Sequence, residues 1–267
     1  MKALFLGYGR MGSALGQAWL QRGFMDEIVA IDPNATAAPG LTVFPTVDLL
    51  DSGCFDFVVI AVKPTLVQKV LAGLGKDVLH EVTVVSVAAG VRIETIANAL
   101  PVKAPIVRAM PNTPALLGAG CTCLFADAAM TSAIRTQTMQ LFDAVGKTFW
   151  VDSEDMIDAA TAISGSGPAY YHLFSESLAA AAEKLGFAPE VAAALVAQTA
   201  YGAARLQNAG NHDFAELRKN VTSPGGTTAA AIDIFESGSC LRQIVLEAVE
   251  SAIRRAKELG MNKPTPT

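Results

Sequence analysis

The stretch "LFLGYGRMGSAL", Leu4 to Leu15, contains Gly7, Gly9 and Gly12 in G-x-G-x-x-G spacing, after an apolar run and at the start of a helical one. In a dinucleotide-binding strand–turn–helix unit, the first glycine permits a tight turn and the second lets a pyrophosphate approach the backbone. The third allows the helix to pack closely on the strand. A second β-rich run, "EIVAID", ends in the acid Asp32, which completes the pattern. The stretch therefore predicts the first unit of a Rossmann-type, dinucleotide-binding sheet.

Short β-rich runs alternate with helical stretches as far as about Val151. The runs are "KALFLG", "EIVAID", "DFVVIAVKP", "VTVVSVAAG", "APIVRAMPN", "GCTCLFAD" and "KTFWVD". Strands that are apolar on both faces and separated by helices form a mostly parallel sheet covered on both sides. After Ser153 the β pattern stops and Ala-rich helical segments follow. We predict an α/β fold in which a doubly wound Rossmann-type domain, residues 1–152, precedes an all-helical domain, residues 153–267.

The composition excludes several classes of protein. The chain has 267 residues, of which 51% are hydrophobic and 17% charged, so a sizeable core is expected. Its net charge of −5 argues against nucleic-acid binding, which needs a basic face. No apolar run approaches the roughly 20 residues of a membrane span, and the N-terminus does not resemble a signal peptide. The cysteines and histidines are scattered, which predicts no metal site. We expect a soluble cytoplasmic protein.

Further strand ends carry "AVKP", "VAAG" and "MPNTP". Ligands of such sheets bind beyond the carboxyl ends of the strands, so these loops should line the cofactor cleft. The candidate cofactor-binding residues in these segments are Gly7, Tyr8, Gly9, Arg10, Met11, Gly12, Asp32, Asn34, Ala61, Val62, Lys63, Pro64, Val87, Ala88, Ala89, Met110 and Asn112. Lys63 fits equally well as a solvated lysine at a strand end.

The identity of the nicotinamide cofactor stays open at this point. An acid at Asp32 should accept from the adenosine ribose hydroxyls, which favours NADH. Asn34, Thr36 and Arg10 could instead reach the 2′-phosphate of NADPH. We expect NADPH or NADH, with NADPH slightly favoured.

A second loop, "VTSPGGTTAA" at Val221 to Ala230, carries no charge. Its backbone N–H groups and hydroxyls stand at the start of a helical run, where the helix dipole favours an anion. Because the loop has no ionisable side chain, it suits a carboxylate that is oriented rather than attacked. The alternative is an ordinary N-cap with a glycine-rich turn. Upstream, "SGSGPAYY" at Ser164 to Tyr171 fits either a binding role or a kink within a long helix.

The segment "LRKNVTSPGGTTAAAIDIFE" resembles the signature of the pyrroline-5-carboxylate reductases, which make proline from a cyclic imine. "GYGRMG", "AVKP", "SVAAG", "MPNTP" and "SGSGPAY" occur in the same order as in that family, so the resemblance covers essentially the whole chain. It implies an NAD(P)H-binding Rossmann domain and a helical dimerisation domain, with homodimers that often assemble into a ring. The implied substrate is 1-pyrroline-5-carboxylate and the implied product is L-proline.

The resemblance also implies roles for particular residues. By matching position, Thr228 would hydrogen-bond the ring nitrogen of the substrate as the catalytic residue. Asn220 matches a position near the nicotinamide end of the cofactor. Glu154, in "VDSEDMID", matches an acidic position near the substrate amine, although an acid at a helix start explains it equally well. The complete set of implied substrate-binding residues is Glu154, Ser223, Gly225, Gly226, Thr227 and Thr228.

Two other classes of protein share parts of this pattern. A β-hydroxyacid dehydrogenase has the same two-part plan, but it uses a lysine about one turn into the helix after its glycine-rich segment. Here the residues after Gly167 are Pro168, Ala169, Tyr170 and Tyr171. A non-catalytic nicotinamide sensor would keep the first glycine-rich loop but would have no use for an anion loop near its C-terminus.

Overall fold

The computed structural model describes residues 1–50, 53–127, 130–210 and 213–260. The chain divides into two compact units, one formed by Met1–Pro168 together with the C-terminal stretch from Ser251, the other by Ala169–Glu250. The predicted domain boundary between residues 152 and 153 stays a prediction. The last seven residues of the predicted helical domain, 261–267, lie outside the described part of the chain.

Within the described residues, the first unit contains one eight-stranded sheet. Its strands are β1 (Lys2–Leu6), β2 (Glu27–Ile31), β3 (Leu41–Phe44), β4 (Phe57–Ile60), β5 (Thr83–Ser86), β6 (Ile106–Met110), β7 (Gly120–Ala126) and β8 (Gly146–Trp150). They lie in the order β3-β2-β1-β4-β5-β6-β7-β8, and every neighbouring pair is parallel except β6 and β7. The predicted doubly wound, mostly parallel sheet is confirmed. The edge strand β3 was not predicted, because its four residues are too short to show a period.

Helices cover both faces of the sheet, because its strands are apolar on both faces. They are α1 (Arg10–Gln21), α2 (Val67–Ala72), α3 (Ile93–Ala99), α4 (Ser132–Asp143) and α5 (Glu154–Ala160). On one face, Trp19 of α1 and Phe142 of α4 pack in a core cluster with Phe5 of β1. On the other, Leu71 of α2 and Ile96 of α3 form a second cluster with the opposite faces of the strands.

The second unit is helical throughout its described residues. α6 (Gly167–Lys184) leads into it, followed by α7 (Pro189–Asn208), α8 (Phe214–Asn220), α9 (Thr227–Glu236) and α10 (Cys240–Gly260), whose end returns to the first unit. Among its described residues only Ala192 and Val196 are buried in the single chain. Its exposed large apolar side chains include Leu173, Leu185, Tyr201, Leu206, Ile234, Ile244, Val245 and Leu246. Apolar exposure on this scale marks a surface that another molecule covers.

Candidate active site

The glycine-rich loop turns sharply between β1 and α1, at the point where the strand order reverses. Gly7 has a φ of +91°, and a Cβ there would lie 2.8 Å from the carbonyl oxygen of Ala61. A Cβ at Gly12 would lie 2.7 Å from the carbonyl oxygen of Gly7. Both positions therefore require glycine, one for the turn and the other for the close approach of helix and loop.

The start of α1 offers backbone donors to an anion. Its first helical hydrogen bond runs from the N–H of Ser13 to the carbonyl oxygen of Gly9, at 2.8 Å. The amides of the first turn consequently have no acceptor within the helix, and no side chain caps them. No atom lies within 4 Å of the position that a Cβ at Gly9 would take. Open space beside free helix-start amides fits the pyrophosphate of a dinucleotide.

Asp32 connects the glycine-rich loop to the loop after β2. Its Oδ2 accepts a hydrogen bond from the N–H of Tyr8 and its Oδ1 accepts one from the N–H of Asn34, both at 2.8 Å. A carboxylate oxygen can accept more than one hydrogen bond, so the ribose contact stays a prediction. Asn34 and Thr36 are exposed in the same loop.

Three more predicted loops leave the same edge of the sheet. β4, β5 and β6 run parallel to β1, so their carboxyl ends meet beside the glycine-rich loop. The predicted cofactor-binding residues at these ends are Ala61, Val62, Lys63 and Pro64 after β4, Val87, Ala88 and Ala89 after β5, and Met110 and Asn112 at β6. Lys63 is exposed, whereas Ala88 and Asn112 are buried. The structure thus brings the predicted loops of the first unit to one edge.

Asn112 joins the loop after β6 to a distorted helical turn. α5 continues through a π-helical turn, Thr161–Gly165, before α6 begins. Pro168 lacks the N–H that would bond to the carbonyl of Ser164 one turn earlier, and Nδ2 of Asn112 donates to that carbonyl instead, at 2.9 Å. Oδ1 of Asn112 accepts from the N–H of Cys121, also at 2.9 Å. The "SGSGPAYY" segment therefore contains the end of a π-helical turn and the start of α6, and its binding role stays a prediction.

Glu154, the first residue of α5, lies among charged and backbone groups of the first unit. Its Oε1 accepts from the N–H of Ile93 at 2.7 Å and from Nη1 of Arg108 at 3.0 Å. Its Oε2 lies 3.4 Å from Nε of Arg92. Nη2 of Arg108 also donates to Oδ1 of Asp158, at 2.8 Å. The substrate contact that the resemblance implies for Glu154 stays a prediction.

Arg108 was not among the site residues predicted from the sequence. It lies in the apolar run that forms β6 and is only 1% exposed. A buried charge needs a partner. An arginine inside an apolar, strand-forming run was therefore the feature of the sequence that could have indicated a buried ion pair. Its partners Glu154 and Asp158 stand 46 and 50 residues away, so spacing does not identify them.

In the second unit, Ser223 to Gly226 form a β-turn closed by a hydrogen bond of 3.0 Å from the N–H of Gly226 to the carbonyl oxygen of Ser223. Pro224 occupies the second position and Gly225, with a φ of +70°, the third. This combination is typical of a type II turn. A Cβ at Gly226 would overlap Oγ of Ser223. The turn that precedes α9 thus favours proline at position 224 and, through its positive φ, glycine at position 225.

α9 begins at this turn without a side-chain cap. Its N-cap is Gly226, and its first helical hydrogen bond runs from the N–H of Ala230 to the carbonyl oxygen of Gly226, at 3.2 Å. The amides of Thr227 and Thr228 precede that bond and have no acceptor within the helix. Thr227 is exposed and Thr228 half-buried, and Asn220 is exposed at the end of α8. The loop therefore presents an uncharged set of donors suited to an anion.

Metal ligands, membrane spans and disulfides can also be assessed in the described part of the chain. There, no three His, Cys, Asp or Glu side chains are placed to hold a metal ion. No described helix has the length and apolarity needed to cross a membrane. All four cysteines are free.

The sheet, its glycine-rich loop and the helical second unit define a dinucleotide-binding oxidoreductase. Residues 2–90 match the family model "NADP oxidoreductase coenzyme F420-dependent", and residues 154–259 match "Pyrroline-5-carboxylate reductase dimerisation". The pyrroline-5-carboxylate reductase of Pseudomonas aeruginosa is 39% identical over 262 residues, 96% of each chain. The chain belongs to the pyrroline-5-carboxylate reductase family.

Solved structures agree with this assignment. A pyrroline-5-carboxylate reductase from Coxiella burnetii superposes with a TM-score of 0.86 at 38% identity, covering 96% of this chain and 97% of that one. The Plasmodium falciparum pyrroline carboxylate reductase, solved with NADP bound, also has a TM-score of 0.86, at 31% identity and with 97% and 98% of the two chains covered.

Proposed function

We propose that the chain is a pyrroline-5-carboxylate reductase, which transfers a hydride from NAD(P)H to the C=N bond of 1-pyrroline-5-carboxylate and yields L-proline. The observation that carries the proposal is the uncharged donor loop at the start of α9 in a chain that also has a dinucleotide loop at the start of α1. Similarity to curated reductases over 96% of the chain supports it.

The carboxyl ends of β1, β4, β5 and β6 meet at one edge of the sheet, which we call the cofactor edge. This edge fits a nicotinamide dinucleotide, which supplies the hydride when bound. The open space at Gly9 and the free amides of α1 suit its pyrophosphate. We assign its binding to Gly7–Gly12, Asp32, Asn34, Ala61–Pro64, Val87–Ala89, Met110, Asn112 and Asn220. Either NADPH or NADH is allowed, and NADPH is slightly favoured because Asn34 and Thr36 are exposed in the loop that follows Asp32. The NADP in the Plasmodium falciparum structure supports that preference.

The turn before α9 would hold and orient the substrate. The backbone at Gly226 and Thr227 and the hydroxyl of Ser223 bind the carboxylate, with the conformation maintained by Gly225. The hydroxyl of Thr228 hydrogen-bonds the ring nitrogen. An imine nitrogen can take its proton before the hydride arrives, so no strong acid is needed in the loop. This agrees with the absence of ionisable side chains from Val221 to Ala230.

The active protein is proposed to be a homodimer, with dimers assembled into a ring. The helical unit buries only Ala192 and Val196 among its described residues, and its match to a dimerisation family model supports a partner of the same kind. We place the enzyme in the cytoplasm, where nicotinamide cofactors are available to it.

Oxidation of NADPH and NADH, followed by the loss of the absorbance of the reduced nicotinamide, tests the proposal with 1-pyrroline-5-carboxylate against a 3-oxoacid. We expect turnover with the cyclic imine and formation of proline. Turnover with the oxoacid would indicate a β-hydroxyacid dehydrogenase. Binding of cofactor without turnover of either substrate would indicate a sensor.

A further inference from the structure

We infer that Glu154 is a positioning residue that sets cofactor affinity by fixing the start of α3, and that it does not bind the substrate. This inference rests on the proposed function, because that proposal assigns Val87–Ala89, in the loop before α3, to the cofactor. The side chain of Glu154 is in contact with two elements that border the cofactor edge, α3 and β6.

The first contact caps α3. The N-cap residue Arg92 is extended, with φ −77° and ψ 155°, and its side chain makes no capping hydrogen bond. The N–H of Ile93, the first helical amide, donates instead to Oε1 of Glu154 at 2.7 Å. A carboxylate at a helix N-terminus satisfies a free amide and interacts favourably with the helix dipole. Glu154 thus acts as a cap from a position 61 residues further along the chain.

The capped helix α3 fixes one end of the loop that contains Val87–Ala89. At its other end, the N–H of Val87 donates to the carbonyl of Ile60 at 3.0 Å, and the N–H of Ala88 donates to Oγ of Ser86 at 3.3 Å. Gly90, which precedes the helix, has a φ of +76°. The position of the loop therefore depends on its anchor at Ile93 as well as on β5.

The second contact joins the same carboxylate to β6. Arg108 is almost fully buried, and it stands in register with Ser86, the last residue of β5. Glu154 and Asp158 are the two carboxylates that neutralise its charge. Removing one partner of a buried ion pair is unfavourable, so a change at either acid perturbs Arg108. Only Glu154 also contacts α3, and this difference separates its positioning role from charge balance.

The experiment compares Glu154→Gln with the matched variant Asp158→Asn in the full-length protein. A glutamine side chain carries no charge, so its oxygen accepts more weakly from Ile93 and Arg108 than the carboxylate does, and its NH2 group would face Nε of Arg92. Asp158→Asn removes the same charge from Arg108 and leaves the contact at Ile93 intact. For each protein we would measure the Kd for NADPH and for NADH by calorimetry, the KM for 1-pyrroline-5-carboxylate, and the melting temperature.

We expect Glu154→Gln to raise the Kd for NADPH roughly three- to thirty-fold, the range that loss of a helix cap allows. Asp158→Asn should leave that Kd within about twofold, and the KM for the imine should stay unchanged in both. A higher KM for the imine at unchanged NADPH affinity would show that Glu154 contacts the substrate, and would overturn the inference. Equal loss of NADPH affinity in both variants, or loss in neither, would overturn it too.

A second variant keeps every charge in place. Ile93 is buried in the second core cluster, so Ile93→Ala, which keeps the N–H, is the control for the lost side chain. Ile93→Pro removes the donated N–H at the first helical position, where proline is well tolerated, and the extended Arg92 suits a following proline. It should reproduce the loss of NADPH affinity even if Glu154→Gln fails to fold, and unchanged affinity would contradict us. Failure of the unmodified chain to bind NADPH and to reduce the imine would refute the proposed function itself, separately from these comparisons.

Discussion

The hydroxyl of Tyr8 lies over the Cα of Gly16, so close that a methyl group at Gly16 would overlap its oxygen. Tyr8 stands between the first two glycines of the glycine-rich loop and is only 7% exposed. Its ring packs edge-on against Phe5, with centroids 5.4 Å apart. Within the described residues its hydroxyl has no hydrogen-bond partner. The glycine-rich loop therefore rests on a buried aromatic ring for which α1 leaves space.

Tyr8→Phe should raise the free energy of unfolding at neutral pH by about 1 kcal/mol, because it removes a buried hydroxyl without a partner. Urea denaturation measures the change. Gly16→Ala is the companion variant. It should destabilise the protein, and by less in the Tyr8→Phe background, where the overlapping oxygen is gone. A Tyr8→Phe protein less stable than the parent would contradict this account.

Because the phenol of Tyr8 is buried, we expect the free energy of unfolding to depend on pH in the alkaline range. Burial raises the pKa of Tyr8 to about 12, above the value of about 10 expected in the unfolded chain. Folding therefore favours the protonated phenol, and its contribution to stability is complete below about pH 10. It is lost as the pH rises from about 10 to about 12. Denaturation at a series of pH values should show this decline in the parent and a smaller one in Tyr8→Phe. Free energies of unfolding that fall in parallel above about pH 10 in the parent and in Tyr8→Phe would contradict this prediction.

Gly9→Val should abolish dinucleotide binding and leave the fold intact. The backbone at Gly9 has φ −70° and the space around its Cβ position is open, so a side chain is tolerated there. That space is where the pyrophosphate would lie. Calorimetric titration with NADPH, together with the melting temperature, tests both statements.

Gly7→Ala is the matched control for that experiment. Alanine would be strained at φ +91° and would meet the carbonyl oxygen of Ala61, so it should lower the melting temperature as well as nucleotide affinity. Unchanged nucleotide affinity in Gly9→Val would refute the assignment of the pyrophosphate to this loop.

Thr228→Ala should lower kcat/KM for 1-pyrroline-5-carboxylate about ten- to a hundredfold, with little effect on nucleotide affinity. The expected loss is that of one hydrogen bond which is stronger in the transition state, roughly 1–3 kcal/mol. The N-cap of α9 is Gly226, so the substitution removes no cap and the melting temperature should change little. Thr228→Ser retains the hydroxyl and should recover most of the activity. Steady-state constants equal to wild type in both variants would show that the loop binds something else.

Leu246→Glu in α10 should shift the dimer towards monomer. The side chain is 59% exposed in the single chain and adjoins Ile244 and Val245, which are also exposed. A buried carboxylate without a partner is strongly unfavourable. Leu49→Glu, at a similarly exposed leucine of the first unit, is the matched control and should remain dimeric. Light scattering at several concentrations decides, and a Leu246→Glu protein as dimeric as the control would count against an interface at this helix.

Much of the cofactor edge could be predicted from local signals. The spacing of Gly7, Gly9 and Gly12 and the apolar strand runs identify strand ends, and parallel strands bring their carboxyl ends to one edge. The turn at Pro224 could be predicted equally well, because proline restricts φ and glycine permits positive φ whatever surrounds them. The edge strand β3 was missed, since four residues with one buried side chain show no clear period.

The sequence by itself determined the sheet, the helical second half and the two glycine-containing turns that precede α1 and α9, because periodicity and backbone preference act between neighbours in the chain. Only the tertiary structure decided what the polar side chains contact. Asn112 pairs with the carbonyl that Pro168 leaves free, and Glu154 caps a helix 61 residues earlier. Such partners are selected by packing, which brings distant residues together and requires every buried polar group to find a hydrogen bond.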